Sequence, residues 1–204
     1  MIDTFVRPLI NPPLNAAARA LVRWGIGANA VTAVGLAVGV AAALSIVAGW
    51  FALAFVLILV NRIVDGLDGA VARASVSTDL GGYFDIASDY LFYVSVPLAF
   101  AVIDPPANAL PAAALLGGFC LTATSFLGFA IVAAKRGLTT QAHGKKSFFY
   151  STGLVEGTET VVFFLLMCAL PHAFAKLAWL FAGLCALTAV QRAVLAAKVF
   201  RHES

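Results

Sequence analysis

The sequence predicts an all-α integral membrane protein, a six-transmembrane-helix bundle preceded by an N-terminal amphipathic interfacial helix. Two observations carry that expectation. Of the 204 residues, 62% are hydrophobic and 11% charged, with a mean hydropathy of +0.96, whereas a soluble domain is nearer half apolar and about a quarter charged. The apolar residues also fall into runs of about 20, the length a helix needs to cross ~30 Å of hydrocarbon, and short polar or proline-containing stretches separate the runs. A chain of this length holds about six such spans within one domain, residues 1–204.

Residues 1–28 are amphipathic rather than spanning. Leu14, Ala17, Ala18, Leu21 and Val22 recur near helical spacing against Asn15, Arg19 and Arg23, with Pro12 and Pro13 suited to a helix start. Such a helix lies along a membrane, its arginines toward anionic headgroups and Trp24 at the interface. Asp3, Arg7 and the lack of a compact apolar core argue against a cleavable signal peptide.

Six spans are expected within residues 29–199: about 29–49, 50–73, 80–103, 110–134, 148–170 and 174–199. Alternate crossing places the N-terminus, the turn after Arg73, the 135–147 loop and the C-terminus on one side. Arg7, Arg19, Arg23, Arg73, Lys135, Arg136, Lys145, Lys146, Lys198 and Arg201 gather there, and of the loop cations only Lys176 falls opposite. By the positive-inside rule that side is cytoplasmic, in an inner (plasma) membrane. Cys120, Cys168 and Cys185 stand singly in apolar runs without a CxxC, which reads as packing rather than redox or metal chemistry. A net charge of +3 with no basic run gives no reason to expect a nucleic-acid partner.

The chemistry concentrates between Asn61 and Tyr93. Five of the ten acidic residues lie there, Asp65, Asp68, Asp79, Asp85 and Asp89, between almost purely apolar flanks. A carboxylate in or beside hydrocarbon costs several kcal/mol unless paired or metal-bound, so such a cluster defaults to a functional site. Asp65 and Asp68 are three apart and Asp85 and Asp89 four apart, so each pair occupies one face of its own helix. If those faces meet, four carboxylates converge and require a cation. All-oxygen ligands without a nearby His or Cys select Mg²⁺ or Mn²⁺. Gly66, Gly69, Gly81 and Gly82 leave room for close approach, and Arg73 supplies a fixed cation.

The pattern Asp65-x-x-Asp68-Gly69-x-x-Ala72-Arg73, then Gly81-x-x-x-Asp85-x-x-x-Asp89, resembles the signature of the CDP-alcohol phosphatidyltransferases, integral membrane enzymes of phospholipid synthesis. It fixes eight positions over 25 residues. One departure stands out: seven residues separate Arg73 from Gly81, where the family usually has about eight. The missing residue falls in the turn and leaves both carboxylate pairs intact.

The resemblance implies a phosphatidyl group moved from CDP-diacylglycerol to a small alcohol acceptor, with release of CMP. It implies that Asp65, Asp68 and Asp85 hold two divalent ions and the pyrophosphate, with Asp89 as catalytic base that also touches a metal. Gly69, Ala72, Arg73 and Gly81 would line the nucleotide pocket. In the family an Asn-x-x-Thr opens the first span and faces the nucleotide; here Asn29 and Thr32 match, although Asn29 reads equally well as a plain N-cap. Homodimers are typical of the family.

Acceptor residues are more open. Lys145 and Lys146, where the loop meets the fifth span, either fix topology or bind an acceptor phosphate with the helix's first N–H groups. A similar run in phosphatidylglycerophosphate-making members favours glycerol 3-phosphate, while inositol phosphate, serine or a cationic alcohol suit the same nucleotide half-site. Glu156, Glu159 and Arg192 either neutralise one another within the membrane or shape the acceptor pocket. Two other classes were weighed. A membrane prenyltransferase would carry two DxxxD motifs far apart, and a cation-coupled transporter would show inverted repeats and broken helices. Neither pattern is visible in the sequence.

Overall fold

The computed structural model describes residues 3–137, 153–155 and 157–201. Among these the chain forms seven α-helices: α1 (Asp3–Arg23), α2 (Ala28–Val47), α3 (Phe51–Ala74), α4 (Asp79–Ile103), α5 (Pro105–Lys135), α6 (Gly157–Ala169) and α7 (Phe174–Arg201), with a 3₁₀ turn at Pro171–Ala173. Four of them, α2, α4, α5 and α7 with its preceding turn, are long and apolar enough to cross a membrane. The expected second span, α3, has 24 residues but carries Arg62, Asp65, Asp68 and Arg73 from its midpoint on, and α6 has 13 residues.

Glycine ends the first two helices. Gly25 adopts φ +75° while Ile26 N–H donates to Leu21 O and Gly25 N–H to Val22 O, and Gly49, at φ +77°, repeats the arrangement with Trp50 N–H on Ser45 O. This left-handed closure satisfies carbonyls that the helix end would orphan, and only glycine enters it without strain. Two starts differ from the sequence expectation. Helix α1 is already formed at Asp3, so Pro12 and Pro13 lie inside it; both are exposed, where water can bond the carbonyls that proline leaves without donors. Helix α5 starts at Pro105 rather than near residue 110, because the Asp104 side chain accepts from Ala107 N–H at 3.2 Å and the two prolines occupy first-turn positions that have no use for an N–H.

Two cores hold the helices together. Leu14, Ala18, Leu21 and Val22 of α1 pack against Val64, Leu67, Ala70 and Val71 of α3, with Val31 of α2, so the apolar face read from the sequence does find a partner. Arg19 and Arg23 stay exposed, as does Ala17. The larger core is aromatic: Phe100 stacks on Phe174 at 4.4 Å, Phe163 on Phe181 at 4.4 Å, and Phe92 meets Phe164 edge-on at 5.8 Å. Small residues let helices approach closely. A Cβ at Gly39 of α2 would lie 2.8 Å from Phe92 of α4, and one at Gly118 of α5 would lie 2.9 Å from Cys185 of α7.

Candidate metal centre and nucleotide site

Helices α3 and α4 are joined by the four residues Ser75–Thr78, which forces them antiparallel and sets the end of one beside the start of the other. Thr78 caps α4 by accepting from Gly81 N–H at 3.1 Å. The seven-residue interval between Arg73 and Gly81 is accommodated in this turn, with both carboxylate faces directed inward. One carboxylate oxygen from each of Asp65, Asp68 and Asp85 lies within 4.8 Å of the others. Asp68 is the most enclosed, at 5% exposed.

The donor set fits a hard divalent cation. Opposite ligands of an octahedral ion with ~2.1 Å bonds stand about 4.2 Å apart, so oxygens within 4.8 Å need shift only by tenths of an ångström to share one. The cavity they line, with Thr32, Gly35, Leu36, Asn61, Arg62, Ser88 and Asp89, has a volume of about 10 Å³, room for roughly one water-sized body. All the charged side chains of that wall except Arg62 are carboxylates, and neither sulfur nor imidazole is present, which suits Mg²⁺ or Mn²⁺ and not zinc.

Asp89 lines the same cavity but is held differently. Its Oδ1 accepts from Arg62 Nη2 at 3.0 Å, while Arg62 Nη1 stands 3.6 Å from Asp65 Oδ2. Arg62 is fixed from behind by Asn61, whose Oδ1 accepts from Nε at 2.9 Å and from Nη2 at 2.6 Å. Asn61 is itself buried and donates to Gly35 O of α2 at 2.8 Å. Phe92 lies 4.8 Å under the guanidinium, and Tyr93 Oη accepts from Nη1 at 3.3 Å. Arg62 was not among the site residues expected from the sequence. Its signal was available: Asn61 and Arg62 interrupt the apolar run FALAFVLILV, where polar groups need a reason. Ser88 was missed too. Its hydroxyl is buried in the cavity wall without a hydrogen-bond partner.

The residues expected around a nucleotide gather at the same end. Asn29 is not a cap: Gly27 holds that position without a side-chain bond, and α2 starts at Ala28. A residue already inside the first turn has a helical backbone, so its side chain is free to point elsewhere, and here it lies beside Gly81, where a Cβ would come 3.0 Å from Asn29 Oδ1. Thr32 donates to Ala28 O at 3.1 Å and approaches the Asp68 carboxylate. Gly69 adjoins the Arg73 guanidinium, at 3.3 Å from a Cβ built there. Ala72 is half-buried and Arg73 exposed. Gly66 is close to Leu14 of α1, whereas nothing approaches Gly82 within 4 Å.

Of the acceptor candidates, Lys145, Lys146 and Glu156 lie outside the described residues. Glu159 sits half-buried in the first turn of α6. Arg192 donates to Thr122 O of α5 at 3.1 Å and lies 5.5 Å over the Phe126 ring. It also faces Gly153, where a Cβ would meet Nη2 at 3.1 Å. A Cβ at Gly157 would lie 3.6 Å from Tyr93 Oη, so the start of α6 adjoins the Arg62 network.

A family model for CDP-alcohol phosphatidyltransferase matches residues 26–201. The chain belongs to the CDP-alcohol phosphatidyltransferase family. The matched segment covers the whole carboxylate cluster and helices α2 to α7, and leaves α1 outside. Inner membrane protein YnjF of Escherichia coli (strain K12) is 45% identical over 192 residues, 94% of this chain and 93% of that one. The phosphatidylinositol phosphate synthase PgsA1 of Mycobacterium tuberculosis shares the fold at 23% identity. Its complex with manganese and citrate aligns with a TM-score of 0.69 over 90% of this chain and 88% of that one. The structure with CDP-DAG bound gives 0.67 over 90% and 93%. This phosphatidyltransferase therefore carries its Asp-rich segment on two adjoining helices, with three carboxylates gathered where they could hold a metal ion and Asp89 on an arginine.

Proposed function

We propose that this phosphatidyltransferase moves a phosphatidyl group from CDP-diacylglycerol to a small alcohol, releasing CMP, and that glycerol 3-phosphate is the acceptor. The observation that carries the reading is the meeting of Asp65, Asp68 and Asp85 within 4.8 Å on the paired helices of a family member. These three would hold divalent ions, two in number, with CDP's pyrophosphate. Bound ions would supply the charge neutralisation that substitution at a phosphorus between phosphates demands. The acceptor oxygen forms a bond to the lipid-bearing phosphorus, the bond from that phosphorus to CMP breaks, and Asp89 takes the hydroxyl proton. Asn29, Thr32, Gly69, Ala72, Arg73 and Gly81 line the nucleotide half of the site. Lys145, Lys146, Glu159 and Arg192, with Glu156, form the acceptor half, and the lysines favour a phosphorylated alcohol.

The single domain of residues 1–204 crosses an inner membrane six times, through α2 to α7, with α1 on the surface and the Asp-rich end cytoplasmic; the asymmetry of loop cations supports this orientation. A homodimer is the working assembly. The test is to incubate the purified protein with CDP-diacylglycerol, Mg²⁺ or Mn²⁺ and a panel of alcohols, following CMP release and the mass of the lipid product. Glycerol 3-phosphate should give phosphatidylglycerophosphate. CMP release with inositol phosphate, serine or a cationic alcohol alone would replace the acceptor, and a folded protein that releases CMP with none would favour the prenyltransferase or transporter class.

A further inference from the structure

Arg62 is unusual among the charges of this chain in how completely its surroundings fix it. Five contacts from two helices, α3 and α4, act on one guanidinium, and α2 holds the first of them from behind. Asn61 accepts from Nε and Nη2, Tyr93 accepts from Nη1, Phe92 lies beneath, Asp89 accepts from Nη2, and Asn61 is anchored in turn on Gly35 of α2. A surface ion pair would keep none of this, because long side chains in water lose more entropy than such a pair returns. A rigid fork held by neutral acceptors instead pre-sets the carboxylate it grips. The grip also falls at the candidate ion site: Arg62 and Asp89 line the same cavity as the three carboxylates that converge, and Arg62 Nη1 stands 3.6 Å from one of them, Asp65.

We propose that Arg62 is a positioning residue for the transfer step: it holds Asp89 by Oδ1 and leaves Oδ2 to receive the acceptor's proton. The inference rests on the function proposed above. It assigns Asp89 to proton transfer, and it makes Arg62 a built-in cation that opposes ion binding at Asp65 while ordering the base. Two consequences follow that a merely structural arginine would not give. Removing its charge should tighten binding of a divalent ion, since a +1 charge ~6 Å from a +2 charge weakens binding about tenfold even under the screening of bulk water. The catalytic losses from removing Arg62 and removing Asp89 should also overlap rather than multiply.

The experiment uses the full chain in detergent, wild type against Arg62→Gln, Arg62→Lys, Asp89→Asn and Arg62→Gln with Asp89→Asn. Free Mn²⁺ is followed by electron paramagnetic resonance, and CMP release is followed with whichever acceptor of the panel is used. Arg62→Gln should bind Mn²⁺ about tenfold more tightly and lower kcat, with KM for CDP-diacylglycerol within about twofold; Arg62→Lys should keep the wild-type Mn²⁺ affinity; and the double variant should be no slower than Asp89→Asn. Unchanged or weaker Mn²⁺ binding by folded Arg62→Gln, or independent multiplication of the two losses, overturns the proposal. If Arg62→Gln does not fold, a tenfold tightening of Mn²⁺ in Arg62→Lys, whose charge is intact, would overturn it instead. Should wild-type protein release no CMP with any acceptor, the proposed function fails, and the Mn²⁺ arm still decides whether Arg62 opposes the ion.

Discussion

Replacing Gly39 by alanine should loosen the site from one helical turn away. The added Cβ would lie 2.8 Å from Phe92 Cδ2 and 3.2 Å from Asn61 Nδ2. Phe92 cannot retreat, because it is buried with Phe164 edge-on behind it and Arg62 above, so α2 must move outward by about 0.6 Å to restore ordinary contact at ~3.4 Å. That displacement lengthens the 2.8 Å bond from Asn61 to Gly35 O to the limit of a hydrogen bond. Overpacking costs ~1–3 kcal/mol and a weakened buried hydrogen bond about 1 more, so roughly 2–4 kcal/mol in total, or some 4–16 °C in Tm at ~2–4 °C per kcal/mol for a chain of this size. Thermal unfolding in detergent by circular dichroism measures the shift, with Gly117→Ala as control, since nothing stands within 4 Å of that glycine and a helical Gly→Ala change is otherwise favourable by ~1 kcal/mol. If Gly39→Ala melts within a degree of wild type, the close approach of α2 to Phe92 is wrong, and so is the anchoring of Arg62 argued from it.

Other expectations concern the chemistry. Asp89→Asn should bind CDP in the presence of Mn²⁺ as tightly as wild type by isothermal titration, yet lose at least ~10²-fold in kcat, the range of a lost general base; full activity would remove Asp89 from proton transfer. Lys145→Ala with Lys146→Ala should raise KM for glycerol 3-phosphate by about tenfold or more, the worth of a charge-assisted contact, and leave KM for CDP-diacylglycerol unchanged. An unaltered acceptor KM would return those lysines to fixing topology.

What could be read from the sequence, and what could not, divides along the distance over which a residue's reason acts. Spacings of three and four placed Asp65 with Asp68 and Asp85 with Asp89 on helix faces, and a four-residue turn left little choice but to bring those faces together. The apolar runs likewise marked the helices, although the Asp104 cap moved the start of α5 to Pro105 and α1 began at Asp3 rather than at Pro12 and Pro13. Arg62 was harder, since its partners Asp89 and Tyr93 stand 27 and 31 residues away and no local period connects them. Gly39 was harder still: a glycine in an apolar helix carries no mark of the phenylalanine that will press on it. Asn29 stayed open between a cap and a pocket residue because a cap and a side chain reaching sideways from the first turn have the same sequence; Gly27 holds the cap position.

The central claim is that Asp65, Asp68 and Asp85 form an ion site that serves phosphatidyl transfer, and Mn²⁺ binding to the full chain, measured by electron paramagnetic resonance for wild type and Asp68→Asn, tests it most directly. Saturable binding by wild type, weakened well beyond tenfold in Asp68→Asn, is the predicted result, because even an outer-shell partner of a metal ligand is worth about 10–100-fold. Equal binding by the two proteins, or none by a folded wild type, would contradict it.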